Sequence, residues 1–495
     1  MSVASQPYTP LDLGGEDFSV LMGDVVRFLA AFLDRLPRGE PSRPGEPFEI
    51  MGPTDPAMRV APAEGGRSLR ELLETISVAA SSGFDTAGGG ALAAIPGTGL
   101  VSSAVADLIA GILNRYTGIT VSAPAMVALE ASVLRWMADL MGLPATAGGL
   151  LTSGGSMATL SALLCARSAI LPDDFRSGRL YATDQTHSCL AKAARIAGFP
   201  ADAVHIVAVD GKLRMDVDAL HAAIELDRKV GRVPFFIAAT AGTTNTGAID
   251  PLQGLAQVAR ETGLWYHVDA AYGGFFQLTD RGRELLDGIQ HADSIVLDPH
   301  KGLFVPFGTG CLLVRDEEML RRGHVGEHGP FLPAASAFDP VEPRLPNFSA
   351  LSPELTRPNR GLRLWLPLHL HGIAAFRAAL NQKLHLARAL YRELVRIPQL
   401  HVLGEPELSV VAFRCNFPQR SAAEEDVATE EMVRHINSVL RVRLMTTRIQ
   451  GRRIARIAIL NLRTTPEILA GVIAAIRAFV AKPNPGGEQS EQCVA

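Results

Sequence analysis

The chain has 495 residues, 47 % of them hydrophobic and 20 % charged, with a formal net charge of −4. That is ordinary globular composition, long enough for one large domain and one or two smaller ones. A slightly negative chain has no basic field to attract a phosphate backbone, so nucleic acid is not an expected partner.

Met1 to Asp17 show no basic stretch followed by an apolar run, hence no secretory pattern, and a cytoplasmic protein is expected. Phe18, Leu21, Met22, Val25, Val26, Leu29, Phe32 and Leu33 recur at helical spacing until Pro37 and Gly39 end the pattern. With the Pro/Gly-rich stretch Pro41 to Pro62, this helix forms an N-terminal arm over residues 1–85. The arm either lies on another surface, such as a second subunit, or is a polar linker. The most apolar window, Ala91 to Leu113, contains Pro96, Asp107 and several glycines, and reads as loop plus buried helix, not a bilayer span. Cys165, Cys189, Cys311, Cys415 and Cys493 are odd in number and scattered, suggesting neither a disulfide framework nor a metal site.

From about Leu150 short apolar runs alternate with helical segments. The expected strands are Leu180 to Thr183, Val204 to Val209, Phe235 to Thr240, Trp265 to Val268, Ile295 to Leu297 and Cys311 to Val314. Helices are expected at Ser188 to Ala197, Val217 to Lys229 and Leu252 to Thr262. Strands apolar on both faces, alternating with helices, predict an α/β domain with a mostly parallel, doubly covered sheet over residues 86–375. A long helix, Leu364 to Leu386, leads out of it. Strand-like runs Leu400 to Arg414 and Arg452 to Leu460, with helices near Glu425 to Leu440 and Pro466 to Val480, predict a small α/β domain over 376–481. Residues 482–495 have the composition of a disordered tail.

Each candidate chemical group follows an expected strand. Asp298-Pro299-His300-Lys301 places a lysine at the end of a buried strand; a neutral amine there condenses with an aldehyde. His267-Val268-Asp269-Ala270-Ala271 delivers a carboxylate at a strand's C-terminal end, where open α/β sheets bind ligands. Such an anion keeps a pyridine nitrogen protonated and the ring an electron sink. Thr152-Ser153-Gly154-Gly155-Ser156 opens a helix and offers backbone N–H groups to a phosphate, although Gly-Gly-Ser is also a common turn. Asp184-Gln185-Thr186-His187-Ser188 would set an imidazole over a planar ring. Ala241-Gly242-Thr243-Thr244 supplies hydroxyls at the same edge. Each is commonplace alone; their joint occurrence in this order is not.

From Phe18 to Val480 the set resembles the group II pyridoxal-5'-phosphate (PLP) decarboxylases of fold type I, which act on aromatic amino acids, glutamate, histidine or tyrosine. The resemblance implies a seven-stranded, mostly parallel sheet in the large domain and a homodimer with its active site at the interface. It implies that Lys301 forms the Schiff base with PLP, that Asp269 pairs with the ring nitrogen, and that His187 stacks on the ring and touches the substrate. Ala271 would pack the opposite ring face and Gly155 and Ser156 would hold the phosphate. Asp298 and His300 would flank the lysine, and Thr244 would stand near the cofactor's substituents. The implied activity is decarboxylation of an L-amino acid to its amine, with no metal.

The likeness breaks at two places. Family members often carry a loop tyrosine that reprotonates the substrate carbon, but no tyrosine lies between Tyr272 and Tyr391. Counting back from Arg360-Gly361-Leu362-Arg363-Leu364-Trp365 puts Phe348 there. Phenylalanine at that position accompanies release of the aldehyde, CO2, ammonia and peroxide, so oxidative aldehyde synthesis is the alternative reading. His187, His324 or His328 would otherwise donate the proton. The segment Ala91 to Gly97, aromatic before its proline in aromatic-specific members, is small or aliphatic here, leaving the substrate side chain open. A transaminase is disfavoured by the decarboxylase-like loop region, and a non-catalytic relative by the intact Lys301 and Asp269.

Overall fold

The computed structural model describes residues 11–36, 61, 64–81, 85–95, 97–324 and 345–482. Most of Pro41 to Pro62, Pro96, His328, Cys493 and nearly all of the expected tail lie outside them. Seven strands form the main sheet: β1 (Gly148–Thr152), β2 (Gly178–Ala182), β3 (Val204–Ile206), β4 (Val233–Thr240), β5 (Trp265–Asp269), β6 (Ser294–Leu297) and β7 (Gly310–Val314). Their order is β1-β7-β6-β5-β4-β2-β3. Pairings from β3 through β6 are parallel, and β7 runs antiparallel to both neighbours. The expected mostly parallel seven-stranded sheet is therefore present. Every residue of β1, β6 and β7 is buried, so both faces are covered.

Local chemistry fixes the helices between strands. Asp216 caps helix Val217–Lys229 by accepting from Ala219 N–H, and Gly263, at φ 72°, ends helix Leu252–Thr262 in the left-handed conformation that glycine tolerates. The long helix spans Gly361–Leu394 and breaks its dihedral pattern at Gly372. It leads to a second sheet of β8 (Leu400–Val402), β9 (Val410–Cys415), β10 (Met445–Ile449) and β11 (Arg452–Ala458), in the order β10-β11-β9-β8. Helices Ala422–Val439 and Pro466–Val480 pack on it around Phe413, Met432, Ile457 and Val472.

One helix departs from expectation, and the arm helix exposes apolar residues as well. Helix Val101–Leu113, expected to be buried, buries only Ser103 and Ala106 and exposes Val105, Leu108, Ile109 and Ile112. Helix Gly15–Arg35 buries none of its residues and exposes Val26, Leu29 and Phe32. Both are apolar surfaces that the single chain leaves unpaired. No helix among the described residues is long and apolar enough to cross a membrane.

Beneath the main sheet, Arg357 and Glu130 form an ion pair at 2.5 Å with both side chains fully buried. Burial raises the Glu130 carboxyl above its usual range, opposed by Arg357. Glu130→Gln would strand the guanidinium without its counter-charge. Such a loss costs about 3–5 kcal/mol, and urea unfolding of parent and variant measures it.

Candidate active site

Five strands deliver side chains to one cavity of about 300 Å³. β1 ends in Ser153 to Met157, β4 in Gly242 and Thr244, β5 in Asp269 to Tyr272, and β6 in Asp298, His300 and Lys301. His187 and Cys189 arrive from the turn after β2. All nine residues expected to bind the cofactor therefore line a single cavity at the C-terminal edge of the sheet.

Lys301 sits on the one-turn helix Pro299–Gly302, and its Nζ lies 2.9 Å from Asp298 Oδ2. The ammonium thus has a charged partner, where the sequence reading had placed it in an apolar setting. Asp298 is 4 % exposed and its Oδ1 has no hydrogen-bond partner among the described residues. His300 donates from Nδ1 to the Thr309 carbonyl at 2.6 Å, which leaves Nε2 facing Asp298 at 3.7 Å. Asp269 accepts Ala271 N–H through Oδ1 at 3.1 Å. At His187, Nδ1 accepts Cys189 N–H at 3.2 Å, so the neutral ring carries its proton on Nε2.

The glycine-rich turn opens helix Gly155–Ile170, whose N-cap, Gly154, provides no side-chain cap. Its first N–H groups are therefore available to an anion and favoured by the helix dipole. Close approach requires glycine nearby. A Cβ at Gly310 would meet the Gly154 carbonyl carbon at 2.4 Å, and one at Gly242 (φ 104°) would meet Tyr272 Cδ1 at 2.8 Å. The cavity wall also holds Thr240, whose buried Oγ1 has no partner among the described residues. A donor-rich cradle, a lysine, an aspartate and unpaired oxygens fit a phosphorylated pyridine aldehyde. No group of His, Cys, Asp and Glu among the described residues is arranged to hold a metal.

Some expected residues lie elsewhere. Phe348 is fully buried in the turn Phe348–Ala350, with the Arg357 guanidinium 4.6 Å from its ring centroid. The turn is tied down by Ser349 N–H to the Gly118 carbonyl and by Thr120 N–H to Asn347 Oδ1. Phe348 therefore does not reach the cavity of its own chain, nor does it project outward from the fold. His324 bonds Leu320 O and Ser161 Oγ, also outside the cavity wall. Of the proton-donor candidates, His187 alone among the described residues lines it. Leu92, Ala93 and Ile95 are buried and line none of it.

The structure adds residues that the motifs did not mark. Tyr272 lines the cavity with its hydroxyl 2.7 Å from Ser409 Oγ. Arg456 of β11, 8 % exposed, donates to the carbonyls of Thr244 and Ala93 and so docks the small domain beside the cavity. His267 lies one layer below, with Nδ1 2.8 Å from Ser294 Oγ, and burial pushes its imidazole down to about 4.

This last shift has a pH consequence. The unfolded imidazole takes up a proton near pH 6.5, whereas the folded one refuses it until about pH 4. Stability from this residue is therefore present above pH 6.5 and drains as the pH falls to about 4, by roughly 3 kcal/mol in all. His267→Gln should flatten that acid limb, read as the difference between urea unfolding curves at neutral and mildly acid pH.

A lysine and an aspartate meeting over an anion cradle, at the C-terminal edge of a mostly parallel sheet, define a PLP-dependent enzyme of the α/β class. The comparisons narrow the class. Residues 91–416 match the model of the pyridoxal-dependent decarboxylase conserved domain. The chain is 33 % identical over 392 residues to an aromatic-L-amino-acid decarboxylase of Bacillus atrophaeus, covering 78 % of this chain and 80 % of the relative. It is 33 % identical over 382 residues to an L-2,4-diaminobutyrate decarboxylase of Rhizobium meliloti, covering 76 % and 74 %. The structure of Oryza sativa TDC with PLP and tryptamine superposes with a TM-score of 0.86 at 25 % identity, covering 95 % of this chain and 98 % of that one. The chain belongs to the pyridoxal-dependent decarboxylase family and is a PLP-dependent carboxy-lyase.

Proposed function

We propose that the enzyme converts an L-amino acid to the corresponding amine and CO2. The observation that carries this reading is the convergence of Lys301, Asp269, His187 and the Ser153–Ser156 cradle on one cavity. When bound, PLP supplies an aldehyde for covalent capture of an amine and a ring that takes up the electron pair left by a departing carboxylate. In this reading Lys301 holds the cofactor and is displaced by the substrate amine. Asp269 keeps the ring nitrogen protonated, and Gly155 and Ser156 anchor the phosphate. Asp298 and His300 steady the lysine, while Thr244 and Ala271 bound the ring. His187, with its Nε2 proton directed away from the Cys189 N–H, is the described residue suited to return a proton to the substrate carbon. Because the bond to the carboxylate must stand perpendicular to the ring, these side chains select the reaction by orientation.

Incubation with a panel of L-amino acids, measuring amine, CO2, aldehyde and peroxide together, tests the reading. Amine equal to CO2 is expected; stoichiometric peroxide without amine would replace it with the oxidative reading. Phe348 is sealed in the fold, and the lack of a tyrosine between Tyr272 and Tyr391 is what still supports the oxidative reading.

The same reading includes a homodimer, supported by the exposed apolar residues of helices Gly15–Arg35 and Val101–Leu113. Light scattering should give twice the mass of one chain. Leu108→Lys with Ile112→Lys should shift the enzyme toward monomer and lower activity in parallel; an unchanged dimer would place the interface elsewhere.

A further inference from the structure

A second cavity of about 660 Å³ lies where the small sheet meets the large domain, within the roughly 300–1,000 Å³ typical of small-molecule sites. Its floor is apolar. Ala412 of β9, Ile449 of β10 and Ile454 of β11 cluster with Leu213 and Leu403, apart from the main core of the small domain. Val411, Phe413, Ala455 and Ile457 belong to that core, so strand alternation turns Ala412 and Ile454 the other way.

Cations from both domains stand around this floor: Lys212 and Arg281 on one side, Arg414 and Arg452 on the other, beside His401, whose imidazole is held below its usual range by burial and by those two arginines. Arg414 and Arg452 are already paired with Glu425, at 2.8 and 2.7 Å. Lys212 and His401 make no side-chain hydrogen bond or carboxylate pair among the described residues. The carboxylate paired with Arg281, on Glu284, is 4.0 Å away, and the buried Nε of Arg281 has no acceptor among the described residues. The acids of the lining are engaged: Glu407 accepts Ile249 N–H at 2.7 Å, and Glu405 lies 3.7 Å from Arg388. Of the charges on this wall, Lys212 and the Nε of Arg281 are left without an acceptor among the described residues.

The turn that carries Lys212 is also strained. Leu213 has φ 63°, an outlier for a branched aliphatic side chain. Asp210 holds the turn by accepting from Lys212 N–H and Arg214 N–H at 2.8 and 3.0 Å and pairing with the Arg214 guanidinium. Strain kept at a surface turn points to a demand on where its side chains stand.

We propose that this cleft binds a small organic anion, a carboxylate on an apolar body. The carboxylate meets Lys212 and Arg281, and the body covers Ala412, Ile449 and Ile454. Binding is coupled to the active site because one turn reaches both cavities. Thr246 lines this one and Thr244 the other. Thr246 Oγ1 lies 2.9 Å from Thr243 Oγ1, and Glu407 holds the end of the same turn at Ile249. A ligand bridging the large domain's cations and the small domain's apolar floor stiffens that turn, and substrate in the active site changes the ligand's affinity in return.

Calorimetric titration of the cofactor-loaded enzyme with 3-phenylpropionate tests this, with inorganic phosphate as the purely ionic probe. The carboxylate should bind, and Arg281→Gln and Lys212→Gln should each weaken it by about tenfold, near 1.4 kcal/mol. Neither variant should alter the visible spectrum of the cofactor or kcat in the absence of the anion. Absence of binding to the parent enzyme, or an affinity unchanged from the parent's in both variants, would overturn the proposal. Phosphate binding as tightly as 3-phenylpropionate would overturn the role of the apolar floor.

Discussion

Lys301→Ala is expected to remove the visible absorption of the holoenzyme, to prevent any borohydride-fixed mass increment, and to lower kcat by about four decades. That is roughly 5.5 kcal/mol of barrier. The size follows from what a tethered amine provides. Lys301 Nζ is held at one cavity wall by Asp298, 2.9 Å away, on a helix of one turn fixed by Pro299. Its attack is intramolecular, whereas an amine from solution has to be collected and oriented at each turnover. The substitution has a second effect that separates architecture from chemistry. It leaves Asp298, 4 % exposed, without its cation, and the cofactor-free variant should lose stability by about 1–3 kcal/mol, discounted because Lys301 is itself 19 % exposed. Lys301→Arg keeps the charge but forms no covalent link, so it should regain much of that stability and none of the turnover. An adduct still fixed by borohydride in Lys301→Ala would place the attachment at another residue.

How far the sequence carried this site depends on how local each feature is. Asp269, Lys301, His187 and the Gly154-Gly155 turn each follow a strand whose apolar run is visible in the chain, and a parallel sheet sends all such ends to one edge. Helices such as Val217–Lys229 and Pro466–Val480 carry periodicity and caps within their own segments. β1 was expected before the glycine turn but without bounds, because Gly148 and Gly149 dilute the start of its apolar run. β10 was missed, its residues being mostly exposed or half-buried. Phe348 shows the sharper limit. Counting along the chain fixed its position in the motif, whereas its burial depends on Gly118, Thr120 and Arg357, which the fold alone brings to it. Arg456 reaches the site, and Tyr272 its partner Ser409, through the docking of one domain on another, an event with no local signature. Helix Val101–Leu113 is instructive in the other direction: its apolar residues read as a core helix, yet within the single chain they face outward.

Asp269→Ala should keep the covalently held cofactor yet lower kcat by about 10²–10³-fold, the usual scale for losing one preorganised electrostatic partner of a developing charge. A carboxylate at the end of β5 is already positioned, because Ala271 N–H fixes one of its oxygens at 3.1 Å while the strand fixes its backbone. Alanine removes the anion and leaves the strand, so Lys301 still finds the aldehyde. What disappears is the charge that holds a proton on the ring nitrogen, and with it the ring's capacity to draw electrons from the substrate. Asp269→Asn is the decisive comparison. Its amide oxygen can keep the bond from Ala271 N–H without the negative charge, so a loss equal to that of alanine assigns the effect to electrostatics. Recovery to within a few-fold of the parent would assign it to the turn instead. Substrate affinity is a further discriminator, since a charge used mainly in the transition state should change kcat more than KM. Should both variants turn over at the parent rate, the carboxylate would have no part in the electron flow, and the mechanism proposed for this cavity would fail at its centre.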